Sequence, residues 1–218
     1  MRIIGLLLLS CSLCMSCVQT DKKKALIDDD FLVAEQHLSN QLKAVPEPTV
    51  YPRTIGKDGK LIATPKNDWT EGFYPGCLWY IYEHNREENW KQSAIKWTEA
   101  LEPMKKLTSH HDIGFLIYCS FGNAYRLTGK EEYKDVIIEA ANSLTTRFSE
   151  VTGCIKSWNY RKAWNGRDEW FYPVIIDNMM NLELLYFASK VTGDTRYAKI
   201  ATTHAETTAK NQLRKDYS

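Results

Sequence analysis

"YRLTGKEEYKDVIIEAA" (residues 125–141) and "SKVTGDTRYAKIATTHA" (residues 189–205) decide the fold. Each reads as the end of one helix, a Thr-Gly turn and the start of a second helix. Gly129 aligns with Gly193, and Tyr133 with Tyr197, at a shift of 64 residues. A glycine just past a helix end suits the left-handed position that closes it. Beyond the first turn, Tyr133, Val136, Ile137, Ala140, Ala141, Leu144 and Phe148 recur on one helical face, the pattern of an amphipathic helix. A fainter copy, "YEHNREENWKQSAIKWTEAL" (residues 82–101), has Trp90 in place of the tyrosines and Arg86 in place of the glycines. Repetition of this kind signals stacked helical hairpins.

Asp112 lies 17 residues before Gly129, Asp177 lies 16 before Gly193, and Trp69 lies 17 before Arg86. Stacked hairpins set equivalent positions along one rim. The spacing therefore predicts that Trp69, Asp112 and Asp177 gather at one end, each aspartate opening the first helix of its hairpin. Repeat periods of about 43 and 65 residues exceed the ~34 of an open tetratricopeptide solenoid. They favour an all-α (α/α)6 toroid, whose inner helices end around a central cavity. Strand alternation is weak; only "VTGCIKSWNY" (residues 151–160) reads as a short strand or turn.

Residues 1–16 read as a signal peptide: Arg2, a short apolar run from Ile3 to Leu9, then small residues and cysteines. The run is too short to span a bilayer. Ser16 before Cys17 marks a bacterial lipoprotein-type cleavage site, although Cys14 stands where leucine is usual. Acylation of Cys17 would tether the chain to a membrane surface without spanning it; an ordinary cleaved signal is the alternative. Residues 17–30 then form a lipidated cysteine and polar tether, and residues 31–218 the N-terminal part of the toroid. The expected location is the bacterial cell envelope, periplasmic or membrane-anchored. Without residues 1–16, 27 of the 28 basic residues face 27 acidic ones, so no basic surface points to nucleic acid. Cys77, Cys119 and Cys154 match no zinc spacing. Cys77 and Cys119 lie in apolar helical stretches and read as buried thiols.

Taken singly, Asp112 and Asp177 read as helix caps. Two in register, among apolar and aromatic residues, point instead to paired carboxylates, of which close approach in a dry pocket raises one pKa. "HHD" at residues 110–112 invites a metal, but adjacent ligands diverge at a helix start and no third ligand cluster is evident. No metal is expected, and His111 reads as a substrate-binding or supporting residue. Trp69, Phe73 and Tyr74, with Trp158, Tyr160, Trp164 and Trp170, could offer flat faces to a sugar ring; Trp79 and Trp97 read as core. Arg161, Lys162 and Arg167 could meet an acidic sugar or be solvated loop charges.

"NDWTEGFYPGCLWYIYE" (67–83), "HHDIGFLIYCSFGNAYRLTG" (110–129), "IKSW" (155–158) and "PVIIDNMMNLELLYFASKVTGD" (173–194) together resemble the unsaturated glucuronyl hydrolases, glycoside hydrolase family 88. The resemblance runs from about residue 30 to the last residue. It implies an (α/α)6 barrel without metal or organic cofactor. It also implies hydrolysis of lyase-generated oligosaccharides bearing an unsaturated uronic acid at the non-reducing end. Asp177 then matches the general acid/base, Asp112 the second essential carboxylate, and His111 and Trp69 substrate-binding positions. Partners would be the unsaturated oligosaccharide, no nucleic acid, and a membrane only through the lipid anchor. Six hairpins need twelve helices and about seven are legible, so only about the first half of the barrel is expected, with doubtful activity by itself. Two alternatives stand beside this reading. One is an unsaturated rhamnogalacturonyl hydrolase of the same fold; the other is a non-catalytic glycan-binding lipoprotein.

Overall fold

The computed structural model describes the backbone of residues 3–216 and the side chains of residues 23–216. The side chains of the expected signal peptide and of Cys17 lie outside the described residues. The first helix, α1 (Ile3–Ala44), belongs to one unit, Met1–Pro46; everything from Glu47 onward forms a second. The expected start of the hairpin domain at residue 31 falls inside α1. "FLVAEQHLSNQLKA" (31–44) lacks Gly and Pro and continues that helix, so the compact unit begins at Glu47. No described helix is long and apolar enough to cross a membrane.

Three helical hairpins build the second unit. The first is α2 (Phe73–Asn85) with α3 (Glu88–Glu99). The second opens with a π-helix (Gly114–Gly122) that runs into α4 (Asn123–Thr128) and returns as α5 (Glu131–Thr145). The third opens with a 3-10 turn (Ile176–Asn181) that runs into α6 (Leu182–Thr192) and returns as α7 (Thr195–Gln212). Each hairpin turns on one left-handed residue: Arg86 (φ 60), Gly129 (φ 67) and Gly193 (φ 76). In each, that residue's N–H donates back to a carbonyl four residues earlier: Tyr82, Tyr125 or Ser189. The alignment of Arg86 with the two glycines thus holds in the backbone itself.

Apolar faces of these helices make the core. Trp79 and Trp97 are fully buried, as are Leu78, Ile117, Ile137, Leu144, Leu184 and Leu185. Trp79 Nε1 donates to Thr98 Oγ1 at 2.9 Å, satisfying a polar atom that burial would otherwise leave unpaired. A hairpin of β1 (Tyr51–Ile55) and β2 (Leu61–Thr64), turning at Gly59, was not legible from strand alternation. It docks through Tyr51, whose ring meets Trp97 edge-on at 5.0 Å and whose hydroxyl donates to the Trp97 carbonyl. The segment read as strand or turn holds β4 (Cys154–Ile155), which pairs with β3 (Phe148–Ser149) just before it, and is followed by the β5 (Arg161–Lys162) and β6 (Glu169–Trp170) pair.

The cysteines differ from the sequence reading. Cys77 is exposed and Cys119 half-buried; Cys154 is buried. Helix α2 carries apolar residues on all sides, so periodicity does not select its core face. Tyr74, Leu78, Trp79 and Ile81 turn inward, leaving Phe73, Cys77 and Tyr80 exposed.

Candidate active site

The starts of the three hairpins converge because their sequences permit close backbone approach. A β-carbon on Gly72 would lie 2.7 Å from the Leu116 Cα, and one on Gly114 would lie 2.8 Å from the Asn181 Cα. Neither separation is possible for a real side chain, so both glycines are needed where they stand. The Asn181 side chain then accepts the Phe115 N–H at 3.0 Å, joining the second hairpin to the third. Trp69 leans on Phe73 and Phe115, at centroid distances of 6.1 and 6.0 Å. It is thereby held beside the segment that carries Asp112.

Ser157 joins the two acidic segments. Its carbonyl accepts from His111 N–H at 3.0 Å, and its own N–H donates to the Pro173 carbonyl at 2.8 Å. Its hydroxyl accepts from Ile175 N–H at 3.1 Å. A backbone bridge between His110 and Trp158 extends the contact. The chain around residue 157 is therefore a strap linking residues 110–111 to residues 173–175.

Within this frame His111, Asp112 and Asp177 meet. His111 Nε2 lies 3.3 Å from Asp112 Oδ1 and 3.7 Å from Asp177 Oδ1. His110 Nδ1 lies 3.0 Å from the other Asp112 oxygen. His111 is fully buried and Asp112 nearly so, whereas the Asp177 side chain is 44% exposed. The N-cap positions of the two segments are held by Ile113 and Ile175, not by the aspartates. Burial, and then the neighbouring Asp112 carboxylate, push the Asp177 carboxyl above its ordinary value; His111 partly offsets both. Burial holds His111 below its ordinary value even though both acids pull the other way. The arrangement is a protonatable carboxyl at the surface, a carboxylate beneath it and an imidazole reaching both.

The same three residues each offer a ligand atom, all within 4.8 Å of one another. Asp177 is the third member that the chain around "HHD" lacks, and it arrives through space from 65 residues away.

Several supporting residues were not singled out by the sequence. Asn178 and His204 are both fully buried. Asn178 donates to the Ile155 carbonyl at 2.8 Å, and Ile155 N–H donates to His204 Nδ1 at 3.0 Å. Ile155 thus ties α7 to the turn that carries Asp177. A histidine on the buried stripe Tyr197, Ile200, Ala201, His204 and Thr208 of α7 was the available signal. Arg147, also buried, donates to the carbonyls of Thr108 and Lys156 and to Asn159 Oδ1.

Trp158 stands edge-on to His111 at 5.8 Å. Beyond it, Tyr160, Trp164 and Trp170 are exposed, as rim aromatics must be to meet a ligand. Trp69 is likewise 43% exposed, with the Arg53 guanidinium 5.0 Å from its ring.

Helical hairpins whose inner starts carry an acid pair among aromatics define a partial (α/α)6 toroid of the glycoside hydrolase kind. No family model matches the chain. It is 45% identical over 170 residues to an unsaturated glucuronyl hydrolase of Formosa agariphila, covering 77% of this chain and 41% of that protein. The solved structure of a heparin-specific unsaturated glucuronyl hydrolase superposes with a TM-score of 0.80 at 40% identity, covering 87% of this chain and 49% of the other. An unsaturated glucuronyl hydrolase variant from Streptococcus agalactiae, solved with dGlcA-GalNAc6S, superposes at 0.68 with 26% identity, covering 86% and 43%. In sequence and fold this chain belongs to the unsaturated glucuronyl hydrolases, and it spans less than half the length of these relatives.

Proposed function

We propose that this chain forms the acid-bearing part of an enzyme that removes unsaturated uronic acid from the non-reducing end of lyase-generated, glycosaminoglycan-type oligosaccharides. The observation that carries the reading is the contact between a raised Asp177 carboxyl and His111, beside a buried Asp112. The substrate's carbon 4–carbon 5 double bond is an enol ether, which must be protonated on carbon. A carboxyl kept protonated by burial and a like charge is suited to that step.

In this scheme Asp177 gives its proton to carbon 4, leaving positive charge at carbon 5 shared with the ring oxygen. Asp112 stabilises that charge and orients the sugar. Water adds at carbon 5 and returns a proton to the Asp177 carboxylate. The hemiketal opens, and the glycosidic bond breaks as the resulting hemiacetal collapses to an aldehyde and a free alcohol. One water is consumed and no oxidant is needed. His111 bridges the two carboxyl groups, and Trp69 offers an apolar face to the sugar. Because attack is not at the anomeric carbon, the carboxylate-separation rule for glycosidases does not apply.

Loss of the double bond's ultraviolet absorbance on incubation with unsaturated chondroitin disaccharides tests the scheme. Asp177→Asn should abolish turnover while leaving the thermal melt in place. Retained turnover in that variant would refute the assignment. We also propose export and acylation at Cys17; metabolic labelling with a fatty acid should mark the chain, and Cys17→Ala should lose the label. Persistence of the label on that variant would exclude Cys17.

A further inference from the structure

We infer that Arg161, packed on both Trp158 and Trp164 one indole away from His111, is an anion-reading residue that takes a carboxylate or sulfate of the bound sugar. The inference rests on the reading of the acid pair as a sugar site and adds to it a determinant of substrate charge.

The acid pair offers an anionic sugar no counter-charge, and the buried imidazole is held toward its neutral form. A cation within short reach of the sugar would supply that charge. Arg147 is buried and donates through Nε and Nη1 to two carbonyls and an asparagine. Arg161 is placed differently. Its guanidinium carbon lies 5.0 Å from the Trp158 ring centroid and 4.3 Å from that of Trp164. Trp158 in turn meets His111 at 5.8 Å, so the cation stands one indole away from the imidazole that reaches both acids.

Among the described residues, no carboxylate lies within 4.0 Å of Arg161, and its side chain makes no hydrogen bond. Its backbone is fixed by pairing with Trp170 across β5 and β6. Stacking uses the flat faces of a guanidinium and leaves its N–H edges for a planar or tetrahedral oxyanion. The second of these rings, Trp164, is 75% exposed, an uncommon position for a large apolar ring that covers only a loop. A side chain ordered in advance loses less freedom when it binds.

The test measures binding by isothermal titration and by tryptophan fluorescence, independently of turnover. Ligands are the unsaturated chondroitin disaccharide, its 6-sulfated form, and a neutral disaccharide control. For Arg161→Gln, Kd should rise about tenfold or more for an anion that Arg161 holds, with no change for the neutral sugar. Equal weakening for both anionic ligands assigns the uronate carboxylate; weakening confined to the sulfated one assigns sulfate. Arg161→Lys should keep part of the affinity and become more salt-sensitive. Unchanged Kd values in Arg161→Gln, or wild-type protein that binds neither anion, would overturn the inference. Turnover with no effect at Arg161 would leave the proposed activity standing; an Arg161-dependent Kd without turnover would do the reverse.

Discussion

Two fully buried ionisable side chains should tilt stability with pH in opposite directions. Burial, with a smaller effect from His111, pushes His204 from 6.5 to about 4. Burial also pushes Glu71 from 4.5 to about 7, and the Thr64 hydroxyl that donates to it only partly offsets this. For His204 the unfolded chain takes the proton first as pH falls, so its contribution is present above about 6.5 and lost as pH falls to about 4. For Glu71 the folded chain keeps its proton longer, so its contribution is present below about 4.5 and lost as pH rises to about 7. Each amounts to up to about 3 kcal/mol. In wild-type protein they largely cancel where the windows overlap, and single variants separate them.

His204→Asn retains an acceptor for the Ile155 N–H; its deficit relative to wild type should shrink as pH falls from 6.5 to 4. The deficit of Glu71→Gln should instead shrink as pH rises from 4.5 to 7. Urea unfolding followed by far-ultraviolet circular dichroism at several pH values reads both. With a slope of about 2 kcal/mol/M, the relative midpoints should move by roughly 1.5 M across each window. Flat difference curves, or two curves tilting the same way, would refute the reasoning. The His204 arm bears on the site as well, because Ile155 couples that imidazole to Asn178, next to Asp177.

Two further outcomes are expected. Gly114→Ala would press a methyl group against the Asn181 backbone at 2.8 Å and should lower stability by about 1–3 kcal/mol. It should also cut activity more than a remote variant of equal stability loss, and activity matching that control would show that Gly114 does not set the site. Arg86→Gly relieves a left-handed backbone at φ 60 and should raise stability by about 0.5–1 kcal/mol. A lower melting temperature would mean that packing of Arg86 on Tyr82, 5.5 Å away, outweighs that strain.

The hairpins were legible because their determinants are local. Gly129 and Gly193 mark turns whose backbone needs them, and the stripe Tyr133, Val136, Ile137, Ala140, Ala141 and Leu144 is buried as its period requires. Nearly equal spacing from those turns, 17 and 16 residues, singles out Asp112 and Asp177. The β1–β2 hairpin was missed because Tyr51 alone is buried in β1 while the next four residues range from half-buried to exposed. Its stability comes from one aromatic docking on Trp97, not from alternation. The exposure of Cys77 is not legible because an all-round apolar helix carries no signal for its inner face.

By itself, then, the sequence determined the repeated turn, the helix faces and the two acids at matching positions, since each follows from backbone geometry or side-chain period over a few residues. Tertiary structure decided that His111 sits between those acids and that they lie close together. That contact depends on Ser157 joining two segments, on Gly72 and Gly114 letting helix starts touch, and on Asn181 closing the gap. It also decided which carboxyl is raised. Desolvation and the approach of a like charge depend on three-dimensional distance, which separation along the chain does not encode.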